Sequence, residues 1–137
     1  MTVYKVTKRI DFCYGHRLLD YQGECGRLHG HNGILEIDVE SQSLDHLGMV
    51  VDFNLISERV KSWVLENLDH KMLLCEQDPV VKALREMGEP LYVVKDNPTA
   101  ENIARLVYLA ARERGLQAAE VRLWETPSGC ACFRGTD

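Results

Sequence analysis

Two alternating stretches near the N-terminus constrain the fold more than any other feature of the sequence. Apolar side chains recur at every second position in residues 2–14 and again in residues 32–41. Alternation of this kind is typical of β-strands that bury one face, so both stretches are predicted to be strands. Residues 15–30 are predicted to form the loop between them, which allows the two strands to pair.

Helical spacing of apolar residues follows in the middle of the chain. It predicts helices over residues 53–68, 78–88 and 98–115, and two final strands over residues 121–126 and 130–134. Strands on both sides of a run of helices indicate an α+β domain with a four-stranded antiparallel sheet. The open edges of such a sheet favour closing a barrel with other subunits.

Composition excludes two classes of function. A chain of 137 residues, of which 45% are hydrophobic, suits a single domain spanning residues 1–137. The net charge of −5 argues against nucleic-acid binding. The chain has no apolar run near the roughly 18 to 20 residues that cross a bilayer, and no signal-peptide pattern at its N-terminus. A cytoplasmic protein without a membrane or nucleic-acid partner is therefore expected.

The five cysteines are an odd number without the spacing of a disulfide framework. They are expected to be free thiols, as in a reducing compartment. Cys130 and Cys132 lie in the last predicted strand and are expected to be packed, because free cysteines are usually buried.

Three histidines indicate a metal centre. His29 and His31 are two residues apart, so in a strand their rings share a face. His16 ends the first alternating run and can reach the same place from the neighbouring strand. Three imidazoles without a fourth protein ligand are typical of catalytic zinc, whose open position takes water or substrate. Copper, nickel or iron would also accept these ligands.

Cys25 is a candidate nucleophile or base beside that centre. It precedes His29 by four residues and lies among Gly23, Gly26 and Arg27, a composition typical of an exposed loop. A nearby metal ion and a guanidinium group would favour its thiolate form.

The acidic candidates are weaker when the residues are considered alone. Asp69 and His70 form a possible proton relay, although histidine is also common at helix ends. Glu125 interrupts an apolar strand and needs either a structural arginine or a ligand that donates hydrogen bonds, such as a pterin or guanine. Glu101 is also explained by its place at the positive end of a helix.

The motifs together resemble a known family, the 6-pyruvoyl-tetrahydropterin and 6-carboxytetrahydropterin synthases. In sequence order they are Phe12-x-x-x-His16-Arg17-Leu18, Cys25-x-x-x-His29-Gly30-His31, Gly48-Met49-Val50-Val51-Asp52-Phe53, Leu68-Asp69-His70, Pro98-Thr99-Ala100-Glu101-Asn102 and Glu125-Thr126. Residues 24–31 and 128–135 look most like the bacterial 6-carboxytetrahydropterin synthases of queuosine biosynthesis.

This resemblance implies the tunnelling fold, an antiparallel sheet with helices on one face. Subunits of that family close barrels as trimers, and two trimers stack into a homohexamer with active sites between subunits. The resemblance also implies that His16, His29 and His31 hold zinc.

The same resemblance implies roles for the other candidates. Cys25 would be the proton acceptor, and Asp69 with His70 would be its relay. Glu125 would anchor the pterin ring and join the relay, with Thr99 and Glu101 near the ring. Arg27 is one of several basic residues that could contact a triphosphate.

The implied reaction converts 7,8-dihydroneopterin triphosphate to 6-carboxy-5,6,7,8-tetrahydropterin, acetaldehyde and triphosphate. Three alternatives stay open: a 6-pyruvoyl-tetrahydropterin synthase, a side-branch activity on a related pterin, and a non-catalytic zinc protein that binds pterins or purines.

The sequence also departs from the family pattern. Cys13, Tyr14 and Gly15 stand where small alanine-like residues are usual, and Leu74 stands where many members have asparagine. The segment 75–97 is longer than the usual connection. These departures affect the expected substrate more than the expected metal ligands.

Overall fold

A computed structural model of the protein describes residues 2–135. Within these residues the chain forms six strands and three helices. They are β1 (Tyr4–His16), β2 (His29–Ser41), α1 (residues 53–67), β3 (Lys71–Cys75), α2 (Val80–Glu86), β4 (Leu91–Val94), α3 (Ala100–Glu113), β5 (Ala118–Thr126) and β6 (Gly129–Phe133).

The strands form one mixed sheet in the order β4-β3-β1-β2-β5-β6. The pairs β1–β2, β2–β5 and β5–β6 are antiparallel, whereas β1–β3 and β3–β4 are parallel. The prediction of a four-stranded antiparallel sheet was therefore wrong, because two parallel strands extend the sheet beyond β1. The sequence of β3 gave no alternation, since Leu73, Leu74 and Cys75 are consecutive buried residues.

The strands β1 and β2 are also longer than the alternation suggested, at the end of the sheet that carries the candidate histidines. They continue to His16 and begin at His29, and these two residues are paired across the strands. The connecting loop is correspondingly shorter and contains a 3₁₀ turn at Glu24–Gly26. As a result, the candidate ligands lie on rigid strands instead of a loop.

Both α1 and α3 pack on one face of the sheet. The alternating residues Ile10 and Phe12 of β1 share a buried cluster with Val60 of α1 and with Ile103 and Val107 of α3. This arrangement confirms an α+β architecture with helices against the sheet. None of the helices within residues 2–135 has the length and apolar character that a membrane-spanning segment needs.

The helix α1 is continuous but contains a π-helical turn. Its α-helical parts, Phe53–Ile56 and Ser62–Asn67, are joined by the π turn Ser57–Lys61. The side chain of Asp52 caps its first turn by accepting a hydrogen bond from the backbone N–H of Asn54 at 2.8 Å. After α1 the chain enters β3, which pairs with β1 at the end of the sheet where His16 lies.

Candidate metal centre and active site

The pairing of β1 with β2 gathers the three histidines. His16 lies opposite His29, and Tyr14 lies opposite His31. Residues directly opposite in an antiparallel pair point to the same face, so all three imidazoles meet on the helix-covered side. One nitrogen of each ring lies within 4.8 Å of the nitrogens of the other two. The structure thus brings together the three residues proposed from the sequence as metal ligands.

Backbone carbonyls fix two of these imidazoles in the form that binds metal. The Nδ1 atom of His16 lies 2.7 Å from the carbonyl oxygen of Pro98, and that of His29 lies 2.6 Å from the carbonyl oxygen of Arg27. A carbonyl only accepts hydrogen bonds, so each Nδ1 carries the proton and each Nε2 presents a lone pair. This is the usual way in which a protein orients a metal-ligating histidine.

The Nε2 atom of His16 provides the test of whether a metal ion fits here. It is buried and has no hydrogen-bond partner among the described residues. Burial also lowers the pKa of His16, which favours the neutral imidazole that metal ions require. A buried nitrogen lone pair without a partner is costly, and a bound cation removes that cost. The donor set of three neutral imidazoles suits zinc.

Glu125 brings a negative charge to the same place. Its Oε2 atom lies 3.3 Å from Nε2 of His16 and 3.4 Å from Nε2 of His31. Because the His16 Nε2 carries a lone pair, it cannot donate to the carboxylate, and the two groups repel unless a cation lies nearby. The same oxygen accepts a hydrogen bond from the hydroxyl of Tyr14 at 2.9 Å.

A cavity of about 510 Å³ opens in front of the histidines. Besides the three histidines, it is lined by the sequence-predicted residues Cys25, Thr99, Glu101 and Glu125. Its volume is in the range of small-molecule sites, which is about 300–1,000 Å³. Seven candidates from four separate parts of the sequence thus share one cavity.

Cys25 reaches this cavity from the 3₁₀ turn. Cys25 is exposed. Its carbonyl accepts a hydrogen bond from the N–H of Leu18 at 2.8 Å, which closes the loop. Gly26 permits this tight turn, because a Cβ atom there would lie 2.5 Å from the carbonyl oxygen of Tyr21. Arg27 is exposed and is not among the described residues that line the cavity; its carbonyl orients His29 instead.

Asp69 and His70 form the predicted pair, but in a different place. Asp69 accepts hydrogen bonds from the N–H of Cys13 at 2.9 Å and faces Nδ1 of His70 at 2.7 Å. Burial acts to raise the pKa of Asp69, but these two hydrogen bonds outweigh it and hold the pKa below its ordinary value. The His70 side chain is 78% exposed.

The cavity beside His70 is separate from the one that contains Cys25. It has a volume of about 470 Å³ and is also lined by Cys13, Gly15 and Met72. Cys13 and Gly15 alternate with His16 along β1, so this second cavity opens on the opposite face of the sheet. Among residues 2–135, His29 alone lines both cavities. Within one chain, the structure does not bring the Asp69–His70 pair to Cys25.

The contacts that hold the loop after His16 were not predicted from the sequence. The amide of Asn97 brackets Leu19, accepting from its N–H at 2.8 Å and donating to its carbonyl at 3.0 Å. Arg17 forms a two-bond ion pair with the buried carboxylate of Asp78. Contacts between residues so far apart in sequence leave no local signal.

Tyr14 was also omitted from the candidate site residues, although alternation along the strand already placed it on the same face as His16.

The prediction for Cys130 and Cys132 was wrong. Both are exposed, because β6 is an edge strand of the sheet and their side chains alternate with those of Ala131 and Phe133, which pack against the core. Cys130 also lines the cavity of the histidines.

The remaining histidine, His46, is exposed in the connection after β2.

Comparisons with known proteins agree with this geometry. A family model described as 6-pyruvoyl tetrahydropterin synthase matches residues 5–136. The 6-carboxy-5,6,7,8-tetrahydropterin synthase of Rickettsia bellii is 40% identical over 136 residues, which cover 94% of this chain and 96% of that protein.

Two solved structures share the fold over nearly their whole length. An uncharacterized protein of Wolinella succinogenes has a TM-score of 0.84 at 26% identity and covers 99% of this chain and 100% of its own. The 6-pyruvoyl tetrahydropterin synthase of Caenorhabditis elegans has a TM-score of 0.74 at 20% identity, with coverage of 99% and 98%.

Proposed function

Because the chain belongs to the 6-pyruvoyl tetrahydropterin synthase family, we propose that it is a zinc-dependent synthase of the 6-carboxytetrahydropterin type. Its relatives are named as enzymes of this type, and the chain is an enzyme of the same lyase class. The proposed reaction converts 7,8-dihydroneopterin triphosphate and water to 6-carboxy-5,6,7,8-tetrahydropterin, acetaldehyde and triphosphate. This product is the one used in queuosine biosynthesis.

One observation carries the proposal: the three histidines share a cavity with an exposed thiol and a carboxylate. A metal ion held by His16, His29 and His31 would supply Lewis-acid stabilisation of charge on substrate oxygens. The cavity is large enough for a bicyclic ring and its side chain. A generic hydrolase would not need a thiol in this position.

The chain's own residues have distinct proposed tasks. The carboxylate of Glu125 accepts hydrogen bonds from ring N–H groups of the pterin, and Thr99 and Glu101 border the ring. Cys25, as its thiolate, takes a proton from the side-chain carbon beside the ring and becomes the thiol. The loop contacts of Leu18 and Leu19 hold that thiol at the cavity.

The relay is proposed to cross a subunit boundary. In one chain His70 faces a different cavity from Cys25, so a relay to the thiol requires His70 of a second copy. The edge strands β4 and β6 leave backbone groups available for pairing with such a copy. A homohexamer of two barrel-forming trimers would both pair these edge strands and bring His70 of one copy to Cys25 of another. The chain 1–137 acts in it as one domain, in the cytoplasm.

Product analysis tests this proposal. Zinc-loaded protein is incubated with 7,8-dihydroneopterin triphosphate, and the products are identified by mass spectrometry. We expect 6-carboxytetrahydropterin and acetaldehyde, formed by the wild type but not by Cys25→Ala. Cys132→Ala is the matched control, because Cys132 is also exposed but does not line the cavity among the described residues.

Other outcomes would change the assignment. A 6-pyruvoyl product would move the chain to the sister activity. Activity that survives in Cys25→Ala would remove the thiol from the mechanism. No turnover by protein that contains zinc would contradict the proposed substrate.

A further inference from the structure

The Tyr14 hydroxyl is the only hydrogen-bond donor to the Glu125 side chain among the described residues. It lies 2.9 Å from Oε2, and the two histidine nitrogens near this oxygen are placed as metal ligands, not as donors. The direction of the carboxylate therefore depends on one phenol. A hydrogen bond to a charged group is stronger than one between neutral groups, which suits it to this task.

Tyr14 is rigid. Its side chain is 1% exposed, and its ring stacks on Phe12 with a centroid distance of 4.9 Å and contacts His16 edge-on at 5.2 Å. Its backbone belongs to β1, which is paired on both sides, with His31 of β2 and Lys71 of β3 as partners. The hydroxyl oxygen consequently has a fixed position relative to the histidines.

The hydroxyl donates to one oxygen of the carboxylate, Oε2. The other carboxylate oxygen, Oε1, has no hydrogen bond from the described residues and is left for a ligand in the cavity.

We propose that Tyr14 is a positioning residue that holds Glu125 and thereby sets where a pterin ring lies relative to the metal ligands. This inference rests on the proposed function, in which Glu125 anchors the ring. The hydroxyl fixes Oε2 beside the histidines, so ring N–H groups meet the carboxylate at one distance and angle. A mobile carboxylate would allow the ring to shift away from the catalytic thiol.

A double-mutant cycle on ligand binding tests this inference without relying on turnover. The probe is neopterin, an unphosphorylated and oxidised relative of the proposed substrate, and its Kd is measured by calorimetry on the zinc-loaded protein. We expect Tyr14→Phe to weaken binding by about 10-fold, the scale of one hydrogen bond to a charged group. In a Glu125→Gln background, the same substitution should have little further effect, because its target is already altered.

Controls separate this role from general packing. Tyr14→Phe keeps the buried ring, and its zinc content should equal that of the wild type. Tyr108→Phe is the matched variant, because Tyr108 is also buried, at 4% exposure, and packs edge-on against Phe133 outside the cavity. It should bind neopterin like the wild type.

The outcomes distinguish the inference from the proposed function. If Glu125→Gln weakens binding but Tyr14→Phe does not, or if the two effects add fully, the positioning role is wrong and the pterin site stands. If Tyr14→Phe loses zinc, the tyrosine acts on the histidines and not through Glu125. If the wild type binds no pterin, both the proposed function and this inference are overturned.

Discussion

His70 is held in a backbone conformation that residues with a side chain rarely adopt. Its φ angle is 60°, in the left-handed region that favours glycine. The N–H of His70 donates to the carbonyl of Cys13 at 2.6 Å, and the carboxylate of Asp69 accepts from the N–H of Cys13. These bonds to β1 hold the strained residue in place. Strain of this kind is common where a side chain must point in one direction for function.

Substitution of His70 should reveal this strain. Both His70→Ala and His70→Gly lose the imidazole, but only glycine adopts a positive φ without cost. We expect the glycine variant to be more stable than the alanine variant by about 1 kcal/mol. Urea unfolding at one protein concentration measures the difference. A glycine variant that is no more stable than the alanine variant would contradict the strain.

Removal of one metal ligand should remove the metal. We expect His31→Ala to bind zinc at least about 100-fold more weakly than the wild type, because three ligands are the minimum for a catalytic site. Competition with a chelator of known affinity measures this. His46→Ala is the control, since His46 is exposed and lies outside the cavity, and it should retain full affinity. Equal losses in both variants would contradict the assignment.

Among the elements, those with a local signal could be predicted from the sequence and those that depend on distant partners could not. The strands β1 and β2 alternate, and α1 and α3 show helical spacing, so all four were predicted within a few residues. The strand β3 was missed because it is buried without alternation. The cluster of three histidines was predictable because they lie in two of the alternating strands. The ion pair of Arg17 with Asp78, by contrast, joins residues 61 positions apart.

That ion pair should make stability depend on pH in a defined direction. The Arg17 hydrogen bonds lower the pKa of the buried Asp78 carboxyl below its ordinary value. A lowered carboxyl pKa adds stability above its unfolded value of about 3.9, and this stability is lost as the pH falls through the folded value. At pH 7, Asp78→Asn should therefore cost about 1–2 kcal/mol.

This cost should shrink as the pH falls below the unfolded value and through the lower folded value, because the wild-type carboxyl is protonated in both states only below the folded pKa. Chemical unfolding of both proteins at pH 7 and at about pH 2 gives the two differences. A difference that stays constant across this range would show that the charge of Asp78 does not contribute.

At the scale of the whole molecule, the positions of Cys25 and His70 require a second copy if both serve one reaction. They line separate cavities on opposite faces of the sheet. Two inactive variants should then complement each other when mixed. In randomly assembled oligomers of Cys25→Ala and His70→Ala, about a quarter of the sites pair an intact thiol with an intact histidine.

We therefore expect the mixture, refolded together, to regain about a quarter of wild-type activity. A mixture of Cys25→Ala with Glu125→Gln is the control, because these residues line the same cavity of one chain. It should stay inactive. Complementation in the control, or none in the test mixture, would place the relay elsewhere.

X-ray absorption at the zinc edge is the most direct test of the proposed metal centre. We expect three imidazole nitrogens and one further light atom at about 2.0–2.1 Å, with the thiol of Cys25 free. A sulfur atom at about 2.3 Å would make Cys25 a ligand instead of a base, and fewer than three imidazoles would break the triad of His16, His29 and His31.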